Sequence, residues 1–184
     1  MPRIFLVRHG HAAAGFGEDM DPGLDDLGRS QAEAAAERLK GLGPRRILSS
    51  PLKRARETAI PLAKIWARTP VIEAAVAEIP SPKGVSLEQR VAWLRKLMAG
   101  SWRDVTPELA AWREACIAAV AALTEDAVIF SHYVAINVLT GAATNDDRVV
   151  VFSPEYCAVT SFDNAGGKLR LLDKGSEASL THVN

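Results

Sequence analysis

The chain has 184 residues, with 22 Lys and Arg against 22 Asp and Glu, four His, two Cys and 48% apolar residues. That length predicts a single domain over residues 1–184 with a core that needs neither disulfide nor metal, and it excludes a mostly disordered chain. Zero net charge argues against a nucleic-acid or anionic-membrane partner, since such binders rely on a clustered excess of Lys and Arg, but a local cationic pocket is still allowed.

The longest apolar run, residues 115–123, is well short of the ~20 residues that cross a bilayer, and the run at 4–7 is too short for a signal-peptide core. A soluble, cytoplasmic protein is expected. Cys116 and Cys157 lack the paired spacing of a zinc or redox motif and read as reduced core residues.

In chain order, residues 4–7 form an apolar run that reads as a strand buried on both faces. Asp25 caps a helix that runs to Leu42, where Gly43 and Pro44 end it. Residues 45–49 make a second strand. Ser50 and Pro51 then supply an N-cap and a first-turn proline for a helix reaching Ala67, bent at Pro61.

Val71 and Ile72 suggest a third strand, followed by the irregular stretch 80–84. Further helices are expected at 87–98 and, capped by Thr106, at 108–123. Residues 127–131 read as a fourth buried strand leading into a helix from Tyr133 that Gly141 ends. Residues 159–163 and 168–172 flank Asn164-Ala165-Gly166-Gly167 as an antiparallel hairpin, and the tail from Gly175 is expected to be loose. The four tryptophans, Trp66, Trp93, Trp102 and Trp112, fall on apolar helical faces and read as core.

Alternating strands and helices that finish in a hairpin predict an α/β fold. It is a three-layer helix/sheet/helix sandwich on a mostly parallel sheet with an antiparallel edge strand. Ligands in such folds bind beyond the carboxyl ends of the strands. There the first strand delivers Arg8, His9, Gly10 and His11, the second Ser49, Ser50 and then Arg54, the third leads to Glu78, and the fourth delivers Ser131 and His132. Two arginines, two or three histidines and one carboxylate, with no Cys or Asp cluster to suggest metal, suit a phosphoryl group, which needs forked, always-charged donors.

Arg8-His9-Gly10, then Leu24-Asp25-Asp26-Leu27-Gly28-Arg29-Ser30-Gln31-Ala32, then Ser49-Ser50-Pro51-Leu52-Lys53-Arg54-Ala55-Arg56-Glu57-Thr58-Ala59, then Ser131-His132, resemble in this order the histidine phosphatase superfamily, the phosphoglycerate-mutase-like proteins. The resemblance implies His9 as a nucleophile that becomes a phosphohistidine, with Arg8, Arg54 and His132 holding the phosphoryl oxygens. It implies Glu78 as proton donor to the leaving oxygen, with Glu73 and Asp19 as fallbacks, and it implies no cofactor.

The implied function is a metal-independent phosphatase for a phosphomonoester. The alternatives are a phosphohistidine protein phosphatase and a catalytically degenerate phosphate-binding module. The partner is a small phosphorylated substrate or a phosphoprotein; oligomeric state is left open, and a mutase is disfavoured by length. The family's common Asn after Arg-His-Gly is missing from residues 12–17, and Tyr133 stands where Gly is common. His11 is a possible phosphate contact, with a solvated or backbone-bonded ring as the plainer expectation, and His182 is expected to play no part. Residues 80–105 read as a small cap whose basic residues, Lys83, Arg90, Arg95, Lys96 and Arg103, either meet an acidic part of the substrate or form a solvated helix face.

Overall fold

Four apolar stretches become the parallel strands β1 (Arg3–Arg8), β2 (Arg46–Ser49), β3 (Val71–Ile72) and β4 (Ala127–Ser131) in the computed structural model, which describes residues 1–178. β5 (Val159–Ala165) pairs antiparallel with β1, and β6 (Lys168–Asp173) pairs antiparallel with β5. The sheet order is β3-β2-β4-β1-β5-β6. The expected hairpin therefore supplies two strands on one flank, of which β6 is the edge. β4 lies between β1 and β2 with every residue buried, the environment that its unbroken apolar sequence implied.

Successive strand residues point to opposite faces and so divide the core in two. Ile4, Leu6, Leu48 and Ile129 pack with α4 (Pro107–Ala121) and α5 (Tyr133–Thr144). Val7, Ile47, Val128 and Phe130 pack on the other side with α1 (Asp26–Leu39) and α2 (Lys53–Trp66). The result is the expected three-layer sandwich. Trp66 and Trp102 are buried, and Trp93 and Trp112 pack against the α4/α5 side, so all four tryptophans belong to the core as expected.

α3 (Leu87–Met98) is closed at its start by a reciprocal pair between Ser86 and Gln89. It lies against the loop that follows β1: a side chain at Gly17 would come within 2.9 Å of Val91 Cγ2.

Several boundaries differ from the sequence reading. α2 starts at Lys53, not after Ser50, because Ser50 Oγ accepts from Leu52 N in a local turn and Asp21 Oδ1 accepts from Lys53 N in place of a cap. It continues unbroken past Pro61. α5 runs through Gly141 to Thr144 and ends on Asn145 in the left-handed region. Gly141 instead permits a close approach, since a Cβ there would lie 2.7 Å from the Asp146 carbonyl oxygen. α4 stops at Ala121.

The segment after Gly175 is not loose where it is described: Ser176 O accepts from Glu155 N at 3.0 Å, and Ala178 N donates to Ser153 O at 2.8 Å. His182 lies outside the described residues.

Candidate active site

Three parallel strands stop at the same level, and their extensions are tied together by backbone hydrogen bonds. His9 N donates to Ser131 O, Ser50 N to Phe130 O and Glu73 N to Ser49 O. This lattice brings Arg8, His9, Ser50 and His132 to one end of the sheet. Thr58, on the buried face of α2, receives the Gly10 N–H at 3.0 Å and donates to Arg54 O at 2.7 Å, which couples the β1 turn to the turn of α2 that carries Arg54. The turn is tight at Gly10, where a Cβ would stand 2.6 Å from Gly28 O.

His9 is buried, and its ring nitrogens have different partners. Nδ1 lies 2.7 Å from the Gly10 carbonyl oxygen, which can only accept, so Nδ1 carries the proton. Nε2 receives the Arg54 Nε–H at 3.2 Å, which requires a lone pair there. The two contacts define one neutral tautomer with its nucleophilic nitrogen turned toward Arg54. Burial first, then Arg54 and Arg8, push the His9 pKa well below its ordinary 6.5.

His132 lies 5.1 Å from His9 between ring centroids and is fully buried. Its Nε2 pairs with Ser50 Oγ at 2.7 Å, and its Nδ1 has no partner. Burial, then His9, Arg54 and Arg8, also drive its pKa well down.

Arg8 is wedged between aromatic rings, with Cζ 4.0 Å from the Tyr156 centroid and 5.1 Å from that of Tyr133, while Nη1 donates to Pro154 O at 2.8 Å. Such a sandwich fixes a guanidinium without neutralising it. The Tyr133 hydroxyl is anchored on Ser153 Oγ at 2.8 Å, so the ring that replaces the common Gly buttresses Arg8.

Glu78 reaches the same end from the segment after β3. Ser131 Oγ donates to Val76 O at 2.7 Å and pins that segment to β4. The Glu78 carboxylate then accepts from Ile79 N at 3.0 Å and from Val134 N, at the start of α5, at 3.1 Å. Burial raises its pKa, against the pull of those amides and of Arg54 and Arg8. A half-buried carboxylic acid beside two cations is thus biased toward holding its proton. Of the fallback carboxylates, Glu73 is engaged in capping Ala75 N, and Asp19 is exposed.

His11 is neither simply solvated nor backbone-bonded: its Nδ1 lies 2.7 Å from Asp25 Oδ2, and its ring meets Tyr156 edge-on at 5.2 Å. Asp25 also caps α1 through Gly28 N, as its position before the helix implied. Tyr156 is the site residue that sequence reasoning missed. It stands among His9, His11 and Arg8, next to Cys157, whose backbone is in the left-handed region at φ 58° and whose N–H donates to Arg8 O at 3.0 Å.

Among the described residues no group of three or more His, Cys, Asp and Glu side chains is arranged to hold a metal ion. A groove of about 600 Å³ lined by Arg45, Arg46, Arg68 and Glu125 lies at the opposite ends of β2 and β4, away from the histidines.

Residues 4–176 match the histidine phosphatase superfamily, branch 1. The chain belongs to that superfamily. A glucosyl-3-phosphoglycerate phosphatase of Mycolicibacterium vanbaalenii is 35% identical over 108 residues, which span 56% of this histidine phosphatase chain but 40% of the relative's own length. An uncharacterised protein of Picosynechococcus is 33% identical over 123 residues, covering 61% of this chain and 71% of that one.

Among solved structures, a mycobacterial glucosyl-3-phosphoglycerate phosphatase complexed with VO3 superposes with a TM-score of 0.72 at 22% identity, over 97% of this chain and 100% of that one. A phosphoserine phosphatase of Entamoeba histolytica, solved with 3-phosphoglyceric acid, gives 0.74 at 22% identity, over 96% and 98%. At these identities the structural likeness speaks to the fold.

Proposed function

We propose that this histidine phosphatase hydrolyses a small phosphomonoester without metal, through a phosphohistidine on His9. The observation that carries the reading is the tautomer of His9: a neutral ring with its lone pair on Nε2, between two guanidiniums and a second histidine. The arriving phosphoryl oxygens take over the Arg54 N–H that Nε2 now accepts, which frees the lone pair at the moment that an electrophile is present. Nε2 attacks phosphorus, the P–O ester bond breaks, and the leaving oxygen takes a proton from Glu78. Water then attacks phospho-His9, giving its proton back to Glu78, and inorganic phosphate leaves.

Arg8, Arg54 and His132 hold the equatorial oxygens as charge develops on them. His132 stays neutral until a dianion arrives; the unpartnered Nδ1 is a buried polar atom that lacks an acceptor or donor without substrate. Residues 80–105 serve as the cap, with α3 resting on the loop after β1.

A phosphohistidine substrate is the second reading. An imidazole leaves easily and needs no acid, so a carboxylic acid held at the pocket with a raised pKa favours the ester. The test is turnover of p-nitrophenyl phosphate in EDTA by wild type and His9→Ala. Turnover by wild type alone supports the reading, and retained turnover in His9→Ala sinks it.

A further inference from the structure

Ser50 is fully buried, and each of its polar atoms is engaged. Its N donates to Phe130 O at 3.0 Å, and its O accepts from Ser49 Oγ at 2.9 Å. Its Oγ accepts from Leu52 N at 3.1 Å and stands 2.7 Å from His132 Nε2. These contacts hold the hydroxyl at the carboxyl ends of β2 and β4, against the second histidine of the pocket.

The hydroxyl has one proton to give. Leu52 N is itself a donor and occupies an Oγ lone pair, so among the described residues His132 Nε2 is the one acceptor that the O–H reaches. A buried O–H left without an acceptor costs the desolvation of that group, and the proton therefore points at Nε2. Nε2 must then hold a lone pair. The ring is neutral, because burial and the neighbouring His9, Arg54 and Arg8 disfavour its charged form. A neutral imidazole that accepts at Nε2 carries its hydrogen on Nδ1, the buried nitrogen that has no partner.

The opposite tautomer would leave a lone pair at Nδ1, which repels an anionic oxygen. With Nε2 taken by Ser50, Nδ1 is the nitrogen left for a phosphoryl group, and only as N–H does it bind one. We infer that Ser50 is a positioning residue: its hydroxyl donates to His132 Nε2, fixes the Nδ1–H tautomer, and so presets Nδ1–H as a donor to a phosphoryl oxygen. The inference rests on the phosphatase reading for what Nδ1–H meets, but not for the tautomer. Two neighbouring histidines thus share one tautomer for different reasons. The Gly10 carbonyl gives His9 a nucleophilic lone pair at Nε2, and the Ser50 hydroxyl gives His132 a donor at Nδ1.

The test is the spectrum of isotope-labelled imidazole nitrogens in the ligand-free whole protein at neutral pH, by long-range proton–nitrogen correlation, with His132 assigned by its loss in His132→Gln. Wild type should show His132 protonated on Nδ1 and bare on Nε2. In Ser50→Ala, His132 should move toward a mixture of tautomers while His9 keeps its proton on Nδ1; a general disturbance of the pocket would move both and count against the inference. Ser50→Ala should also lower kcat/KM for p-nitrophenyl phosphate by about tenfold to a hundredfold, the loss of one hydrogen bond to a charged oxygen, and Ser50→Thr, which keeps the hydroxyl, should regain most of it. A wild-type His132 that is bare on Nδ1 overturns the inference, as does a Ser50→Ala protein whose spectrum and kcat/KM match wild type. Should the variants not fold by circular dichroism, the wild-type spectrum still decides. Because the spectrum is read without substrate, a protein that has this tautomer but fails to hydrolyse p-nitrophenyl phosphate would refute the phosphatase reading and leave the role of Ser50 in setting the tautomer intact.

Discussion

His9 and His132 make the stability of the ligand-free protein depend on pH in a way that can be calculated. Both are buried and hold pKa values well below the ordinary 6.5, so the folded pocket resists protons that the unfolded chain accepts. The stabilisation is complete above about pH 6.5 and is lost as pH falls toward the folded pKa values. Between pH 6.5 and 5.0 a histidine that stays neutral in the fold but titrates normally when unfolded removes about 1.6 kcal/mol, so the pair removes about 3 kcal/mol.

Glu78 acts in the opposite sense, because its raised pKa lets the folded state take up a proton first, and it can offset at most about 2 kcal/mol over that range. A double variant, His9→Gln with His132→Gln, keeps Glu78 and removes the two imidazoles, so comparison with wild type isolates the histidines. Urea unfolding at pH 6.5 and 5.0 should show wild type losing about 3 kcal/mol more than the double variant. A difference below about 0.5 kcal/mol would mean that the histidines are protonated in the fold, and the neutral-nucleophile argument would fall.

Three further outcomes follow from contacts at the site. Thr58→Val keeps the side-chain shape but orphans the buried Gly10 N–H; it should cost about 1–3 kcal/mol in urea unfolding and lower kcat for p-nitrophenyl phosphate, whereas an unchanged midpoint would contradict the coupling of β1 to α2. Gly28→Ala would drive a methyl group into the His11 carbonyl oxygen, so a loss of about 1–3 kcal/mol together with reduced activity is expected, measured by thermal melting and turnover. In single-turnover measurements of the step that phosphorylates His9, Glu78→Gln should slow an alkyl phosphate by about 10²–10⁴ while sparing p-nitrophenyl phosphate, whose leaving group needs no proton; equal losses on both in that step would remove Glu78 as the acid.

The sequence makes the catalytic end legible because strand ends and short motifs are local features. An apolar run closed by Arg8-His9-Gly10, and another closed by Ser131-His132, place those residues at the carboxyl ends of parallel strands by pattern alone, and Asp25 caps α1 as its position implied. Ser50 does not cap α2, because a serine before proline has two local options: it turns its hydroxyl to Leu52 N and His132 Nε2, and the start of α2 is closed by Asp21 from a distant loop.

Gly141 looked like a helix end, but the requirement there is close packing against the Asp146 carbonyl, which only the fold reveals. Tyr156 carried no signal at all. Its place over Arg8 depends on contacts between segments far apart in sequence: the Arg38 guanidinium on Cys157 O, and the Asn137 side-chain oxygen on Val151 N and Phe152 N, which fasten the preceding loop to α5.

The central claim is that His9 Nε2 becomes covalently phosphorylated. Rapid acid-free quenching of wild type with a radiolabelled phosphomonoester, followed by peptide mapping, tests it directly. The account predicts an acid-labile, alkali-stable label on the peptide that contains His9, and no label in His9→Ala. Hydrolysis that proceeds with no labelled enzyme, or a label that maps to another residue, would contradict it.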